Sequence, residues 1–207
     1  MMREEMWKEL VVLPMIVMIA PDIKGGEYEG VLNELNKAVS MINNYDACCE
    51  TVIELMIVDK VPTFFNAAWH HENFEANYNT DINEIADYAL WSLARRKQTY
   101  REFGVNYWKP MIILVSNFNE QAELTFMKNP EWLEQTQNRN FYFMPCCINE
   151  NCINVEKYPF QCEIEVLNAE KIFEEYWRIE SRGIETLREI DWLEDLPEPE
   201  EIYPGLR

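Results

Sequence analysis

The 207-residue sequence predicts an α/β domain built on a doubly wound, mostly parallel sheet in three layers, with an acidic C-terminal extension. Two observations carry this prediction. The first is a set of apolar runs, LPMIVMIA (13–20), TVIELMIV (51–58) and PMIILVS (110–116), that are continuous rather than alternating. Strands of that kind are covered on both faces, as in parallel sheets. The second is that segments with apolar residues at helical spacing lie between these runs, and strand–helix alternation is the signature of βαβ units.

Taken in order, residues 2–9 read as a short amphipathic helix with Met6, Trp7 and Leu10 on its apolar side. Residues 13–20 follow as the first strand. A loop from Pro21 to Gly26 leads into a helix over 28–43, whose inward positions are Val31, Leu32, Leu35, Ala38, Val39 and Ile42. Residues 51–58 form the second strand, and 61–66 its hairpin partner or an edge strand. Thr80 or Asp81 caps a helix running to about Lys97, with Ile82, Ile85, Ala86, Ala89, Leu90 and Leu93 inside. Residues 110–116 are a strand, and Pro130 opens a short helix over 130–138. Strands at 140–145 and 163–167 precede a helix over 168–182 with Ile172, Phe173, Tyr176, Trp177 and Ile179 on its apolar face. The domain is therefore placed at 1–183. Residues 184–207 form an acidic helix and tail, which Pro197 to Pro204 (PEPEEIYP) cannot continue as helix.

Charge narrows the partners. The chain carries 18 Lys+Arg against 37 Asp+Glu, a formal net charge of -19. Phosphate backbones and anionic membranes both require cations on the protein, so neither nucleic acid nor membrane is expected as a partner. From Glu163 to Glu201 there are fourteen acids and four bases. The run Val11–Ala20 is too short to span a bilayer, which takes ~20 residues. Acids flank it, and Pro14 interrupts it, unlike a signal sequence. The vicinal pairs Cys48–Cys49 and Cys146–Cys147 do not resemble a disulfide framework, and a reduced, cytoplasmic protein is expected.

The segment Leu13–Glu27, LPMIVMIAPDIKGGE, resembles the start of a von Willebrand factor type A (vWA) domain. Further landmarks come in the family's order: ETVIELMIVDK (50–60), NTDINEIADYAL (79–90), PMIILVSNFNE (110–120) and NAEKIFEEYWRIESRG (168–183). The last is similar to the closing helix of the tellurium-resistance, TerY-like subgroup, and the likeness covers residues 13–183. It implies a Rossmann-like vWA fold. The family's metal-ion-dependent adhesion site holds a divalent cation through an Asp and two Ser after the first strand, a Thr at the later helix and an Asp after the fourth strand. Here Ala20 stands at the first Asp position, with Asp22 and Lys24 at the two Ser positions. Thr80 is retained, and Asn117 replaces the last Asp. The Lys24 ammonium is expected to pair with Asp22 and mimic the metal, so neither a metal nor another cofactor is expected. The resemblance implies a kinase-like or phosphatase-like protein partner in a bacterial or phage stress or conflict system. The binding surface is placed on the loop edge bearing Pro21, Asp22, Lys24, Thr80, Asp81, Asn117 and Phe118.

Other clusters were weighed for chemistry. Cys146, Cys147, Cys152 and Cys162 lack the paired knuckle spacing of a zinc site, and buried hydrophobic cysteine is the expected state. His70 and His71 beside Glu72 have no accompanying nucleophile motif, so a surface loop is expected there and no enzyme activity. Trp69, Trp108 and Trp132 lie near loops; core or half-buried packing is the expected state, the alternative being that some stand at the edge beyond the strand C-termini as a contact for a protein partner. The apolar groups in the tail (Trp192, Leu193, Leu196, Ile202, Tyr203, Leu206) suit a strap across the domain or docking on a partner. A second class of function follows from charge alone: an acidic inhibitor, from a phage or mobile element, that covers the basic, nucleic-acid-binding face of another protein.

Overall fold

The computed structural model describes residues 11–45, 51–58, 63–65, 71–73, 82–118, 141–149 and 164–181. Its elements are β1 (Val11–Ile19), α1 (Gly26–Tyr45), β2 (Thr51–Val58), β3 (Thr63–Phe65), β4 (His71–Asn73), α2 (Ile82–Phe103), β5 (Asn106–Tyr107), β6 (Met111–Val115), β7 (Tyr142–Cys147), β8 (Glu165–Val166) and α3 (Ala169–Ser181). One sheet runs β4-β3-β2-β1-β6-β7-β8, with β5 also paired to β1. Six of these strands are parallel, and β3 and β4 add an antiparallel edge. The α/β fold with a mostly parallel sheet thus agrees with the sequence. The helices expected over 2–9, 130–138 and 184–196, together with the C-terminal tail, lie outside the described residues.

β1 is central and apolar on both faces. Leu13, Met15, Val17 and Ile19 share a core with Val31, Leu35, Ala38 and Ile42 of α1 and Ile172, Tyr176 and Ile179 of α3. Ile16 and Met18 share another with Ile85, Ala86, Ala89 and Leu93 of α2. The alternation of side chains along a strand divides one apolar run between two cores. Burying one such Leu or Ile stabilises the fold by roughly 1.5–3 kcal/mol.

Pro14 sits inside this central strand, where a missing N–H normally breaks a ladder. The hydrogen bonds Trp108 N–H to Val12 O (2.8 Å) and Ala20 N–H to Val115 O (2.9 Å) show that even-numbered residues of β1 face the β5–β6 side. Opposite Pro14 on that side lies the link 108–110, which belongs to neither β5 nor β6. The missing donor falls where the neighbouring strand is interrupted.

Helix ends are satisfied locally. The Asn168 side chain accepts from Lys171 N–H (2.8 Å) at the start of α3, and Glu34 of α1 accepts from Ala169 N–H (3.0 Å). Lys37, and then that N–H, hold the Glu34 carboxyl below its usual range. α2 ends in a Schellman turn: Val105 N–H reaches Tyr100 O (2.8 Å), and Gly104 takes φ +64°.

Several expectations need correction. His71–Asn73 is a strand, antiparallel to β3, and not a loop; the backbone of this segment finds its partners in a hairpin. Trp177 is 52% exposed, although the apolar face of its helix was expected to bury it. Cys147 is disulfide-bonded, contrary to the reduced state expected, whereas Cys146 is a buried thiol.

Glu54 of β2 is paired with Arg96 of α2 in a largely buried position. Burial pushes the Glu54 carboxyl up to about 7 and the Arg96 guanidinium down. A carboxyl whose pKa is raised on folding contributes stability below its unfolded value, and this is lost as pH rises through the folded one. Between pH 4.5 and about 7, the protein should therefore lose stability relative to Glu54→Gln. The difference is of order 3 kcal/mol across the range from 4.5 to about 7, since each pH unit is worth about 1.4 kcal/mol. Urea unfolding of both proteins across this range measures it, and parallel curves would contradict the assignment.

Candidate functional site

The chain reverses its winding direction about β1. β2 lies on one side of it, and the crossover through α2 returns the chain to β6 on the other. Crevices beyond the carboxyl ends of strands at such a point are the usual ligand positions in open α/β sheets. The residues after β1 and after β6 meet there.

Pro21 and Asp22 form the turn that follows β1, closed by Ile23 N–H to Ala20 O (3.1 Å). Proline suits the second position of such a turn because its φ is already set. Asp22 Oδ2 accepts from the Ser116 hydroxyl and from Asn117 N–H, both at 2.9 Å. Asn117 Nδ2 donates to Glu27 Oε2 (3.3 Å), which also accepts from Lys24 N–H (3.4 Å). The Ser116 hydroxyl in turn accepts from Phe118 N–H (2.9 Å). Gly25 takes φ +55°, which lets the loop turn into α1.

Of the expected surface residues, Pro21, Asp22, Asn117 and Phe118 therefore converge. Thr80 and Asp81 lie outside the described residues. Lys24 is exposed and does not pair with Asp22, contrary to expectation. Asp22 already has two uncharged donors, and the Lys24 side chain keeps its hydration. Phe118 is 2% exposed at φ 50°, so it anchors the loop from inside instead of presenting a contact. A bulky residue with positive φ is a strained conformer, costing of order 1–3 kcal/mol, that surrounding contacts must hold.

Sequence reading missed Ser116 and Glu27. Ser116 had a signal, as the polar residue that terminates an apolar run. Glu27 had only its place three residues after Lys24, the spacing of a helix-start side chain that reaches back to the backbone.

This arrangement has little chemistry to offer. Ser116 is fully buried, and its hydroxyl is engaged both as donor and as acceptor, so it cannot meet a substrate. A hard divalent cation needs several oxygen ligands. Here Asp22 Oδ2 is occupied, and Asn117 turns an N–H donor inward. Asp22 Oδ1 is a buried oxygen with no hydrogen-bond partner. Among the described residues no three His, Cys, Asp or Glu side chains are grouped to hold a metal. Among the described residues, the donor set at this edge does not fit a hard divalent cation.

Two other features lie away from this edge. Trp108 precedes β6 at the amino-terminal end of that strand and is half-buried against the core, as expected. Its Nε1–H donates to Thr51 Oγ1 (3.2 Å), so it packs in the sheet. A shallow groove of about 890 Å³ between α1 and the start of α3 is lined by Asn33, Asn36, Ser40, Met41 and Asn168. No helix among the described residues is long and apolar enough to cross a membrane.

Ser116→Ala removes the donor to Asp22 and the acceptor for Phe118 N–H together. It should lower unfolding free energy by ~1–3 kcal/mol, the cost of stranding buried polar groups. Chemical denaturation measures this, and an unchanged midpoint would show that the clamp contributes nothing.

The chain matches no protein-family model and no curated protein.

Proposed function

We propose that this protein is a non-catalytic, metal-independent protein-binding module of the vWA type, related to the TerY-like subgroup, with three layers and a degenerate adhesion site. The observation that carries the reading is the clamp at the switch point. Asp22 joins the loop after β1 to the loop after β6 through Ser116 and Asn117. In the family reading, those positions would hold a cation. Internal hydrogen bonds take its place, and what remains at the edge is a rigid, shaped surface with Lys24 exposed on it. A surface ordered before binding loses less entropy on association. The partner proposed is a kinase-like or phosphatase-like protein of a bacterial or phage stress or conflict system. Recognition uses shape and side-chain hydrogen bonds at Pro21, Lys24, Thr80, Asp81 and Asn117.

The charge of -19 favours a second reading, an acidic inhibitor that covers a basic, nucleic-acid-binding face. Salt separates the two, because attraction between exposed charges is screened within about 8 Å at physiological ionic strength.

The test is affinity capture on the full chain from lysate of the encoding organism, at low and high salt, with Mg²⁺ or EDTA, beside the variant Lys24→Glu. A kinase-like or phosphatase-like partner should persist at high salt and in EDTA and be weakened at least tenfold by Lys24→Glu. Loss in EDTA would contradict metal independence. Recovery of a nucleic-acid enzyme at low salt only would favour the inhibitor.

A further inference from the structure

On one face of the sheet α1 and α3 lie side by side, and the groove between them continues into exposed aromatic side chains. The groove, of about 890 Å³, is lined by Asn33, Asn36 and Met41 on α1 and by Glu170 on α3. One turn on from Met41 stands Tyr45, and one turn on from Glu170 stands Phe173. Tyr45 meets Phe173 edge to face, with ring centroids 5.5 Å apart. Trp177 follows Phe173 by a further turn of α3, at the spacing of four that shares a helix face. Tyr45 is 50% and Trp177 52% exposed, whereas Phe173 packs half-buried against the core.

Single apolar side chains on a surface are ordinary, but these adjoin one another and a groove with a polar rim, which is the make-up of a protein-contact site. The rim is acidic. α1 carries three acids and one base, and α3 four acids and two bases. All three bases are already engaged: Lys37 with Glu34, Lys171 with Glu174, and Arg178 with Glu175. Glu170 stands exposed at the groove. Among the described residues no cation lies over the Trp177 ring, and a tryptophan face is the best aromatic seat for Arg or Lys. Asn33 and Asn36, three apart on α1, are exposed along the groove. Each side-chain amide offers donors and an acceptor, which match the N–H and C=O of an extended main chain. A helical ligand satisfies those groups internally and would leave the amides unused.

We propose that this seam is a docking surface for an extended, basic segment of a partner protein. Tyr45 and Trp177 seat its apolar and cationic side chains, Asn33 and Asn36 pair with its main chain, and Glu170 with the acidic rim draws it in. Charge decides the occupant. Residues 182–207 of this chain carry eight acids and three bases, and a second copy brings a further net charge of -19, so both are repelled by the rim. A basic segment is attracted by it. The seam includes none of the loop-edge residues and does not depend on the function proposed for them.

The experiment selects a random peptide library, displayed on phage, against the immobilised full chain. An enriched peptide is then followed through the indole N–H resonance of Trp177, assigned with Trp177→Phe. Enriched peptides should carry net positive charge and an aromatic or aliphatic anchor, and should shift that resonance saturably. Trp177→Ala, on an exposed side chain that leaves the fold intact, should weaken them at least tenfold, and Glu170→Lys at least fivefold. Lys24→Glu at the loop edge should leave their affinity unchanged. Before peptide is added, a soluble paramagnetic agent should broaden the Trp177 resonance at every protein concentration. No enrichment, enriched peptides that are neutral or acidic, or an unchanged affinity in Trp177→Ala would overturn the proposal. So would a Trp177 resonance shielded in the free protein. Shielding that ignores concentration would assign the seam to this chain's own segments, and shielding that grows with concentration to a second copy.

Discussion

Strand β1 is hydrogen-bonded along both edges and apolar on both faces, so every other element has to be placed relative to it. β2 and β6 flank it in register, α1 and α3 cover its odd-numbered side chains, and α2 covers the even-numbered ones. The last pairs of β1 are Met18 with Val58 and Ile19 with Val115, where β2 and β6 end as well. The chain leaves it through the Pro21–Asp22 turn, and the Asp22 carboxylate ties that turn to the end of β6. The strain at Phe118 and the turn into α1 both depend on this tie.

The same constraint separates the two ends of the molecule. At the carboxyl end of the strands, the polar groups largely satisfy one another, which suits a surface recognised by shape. At the amino end, Lys97 is fully buried, and the Tyr100 hydroxyl is a buried polar atom with no hydrogen-bond partner. Arg96, next to Lys97 on α2, pairs with Glu54 of β2. α2 therefore buries Tyr88, Lys97 and Tyr100, although apolar residues are its main contact with the sheet.

Much of this was legible in the sequence where the signal is local. The run 51–58 is an unbroken apolar segment, and it is strand over that same span. Of the inward residues that helical spacing names in α1, Val31, Leu35, Ala38 and Ile42 are buried, and Leu32 and Val39 pack half-buried against the core. Legibility fails where partners are distant. Nothing in the sequence states that Ser116 will meet Asp22, because the contact exists only once β6 has paired with β1. Pro14 argues against a central strand unless the interruption between β5 and β6 is known, and a two-residue β5 leaves no pattern. Trp177 was misplaced for an angular reason. At about 100° per residue, Ile172, Tyr176 and Ile179 cluster on one line, and Trp177 lies well over 90° from its centre. The disulfide at Cys147 could not be read from cysteine spacing, since connectivity is set by the fold.

The central claim is that internal hydrogen bonds, not a cation, hold the loop edge together. Thermal unfolding of the full chain with millimolar Mg²⁺ and with EDTA tests it most directly, with Asp22→Ala alongside. A ligand that binds the folded state raises its stability. The account predicts the same midpoint in Mg²⁺ and in EDTA. It also predicts a drop of several degrees in Asp22→Ala, at roughly 2–4 °C per kcal/mol for a chain of this size. A midpoint raised by Mg²⁺ in the native protein and unmoved in Asp22→Ala would contradict it, because that result requires a cation held by Asp22.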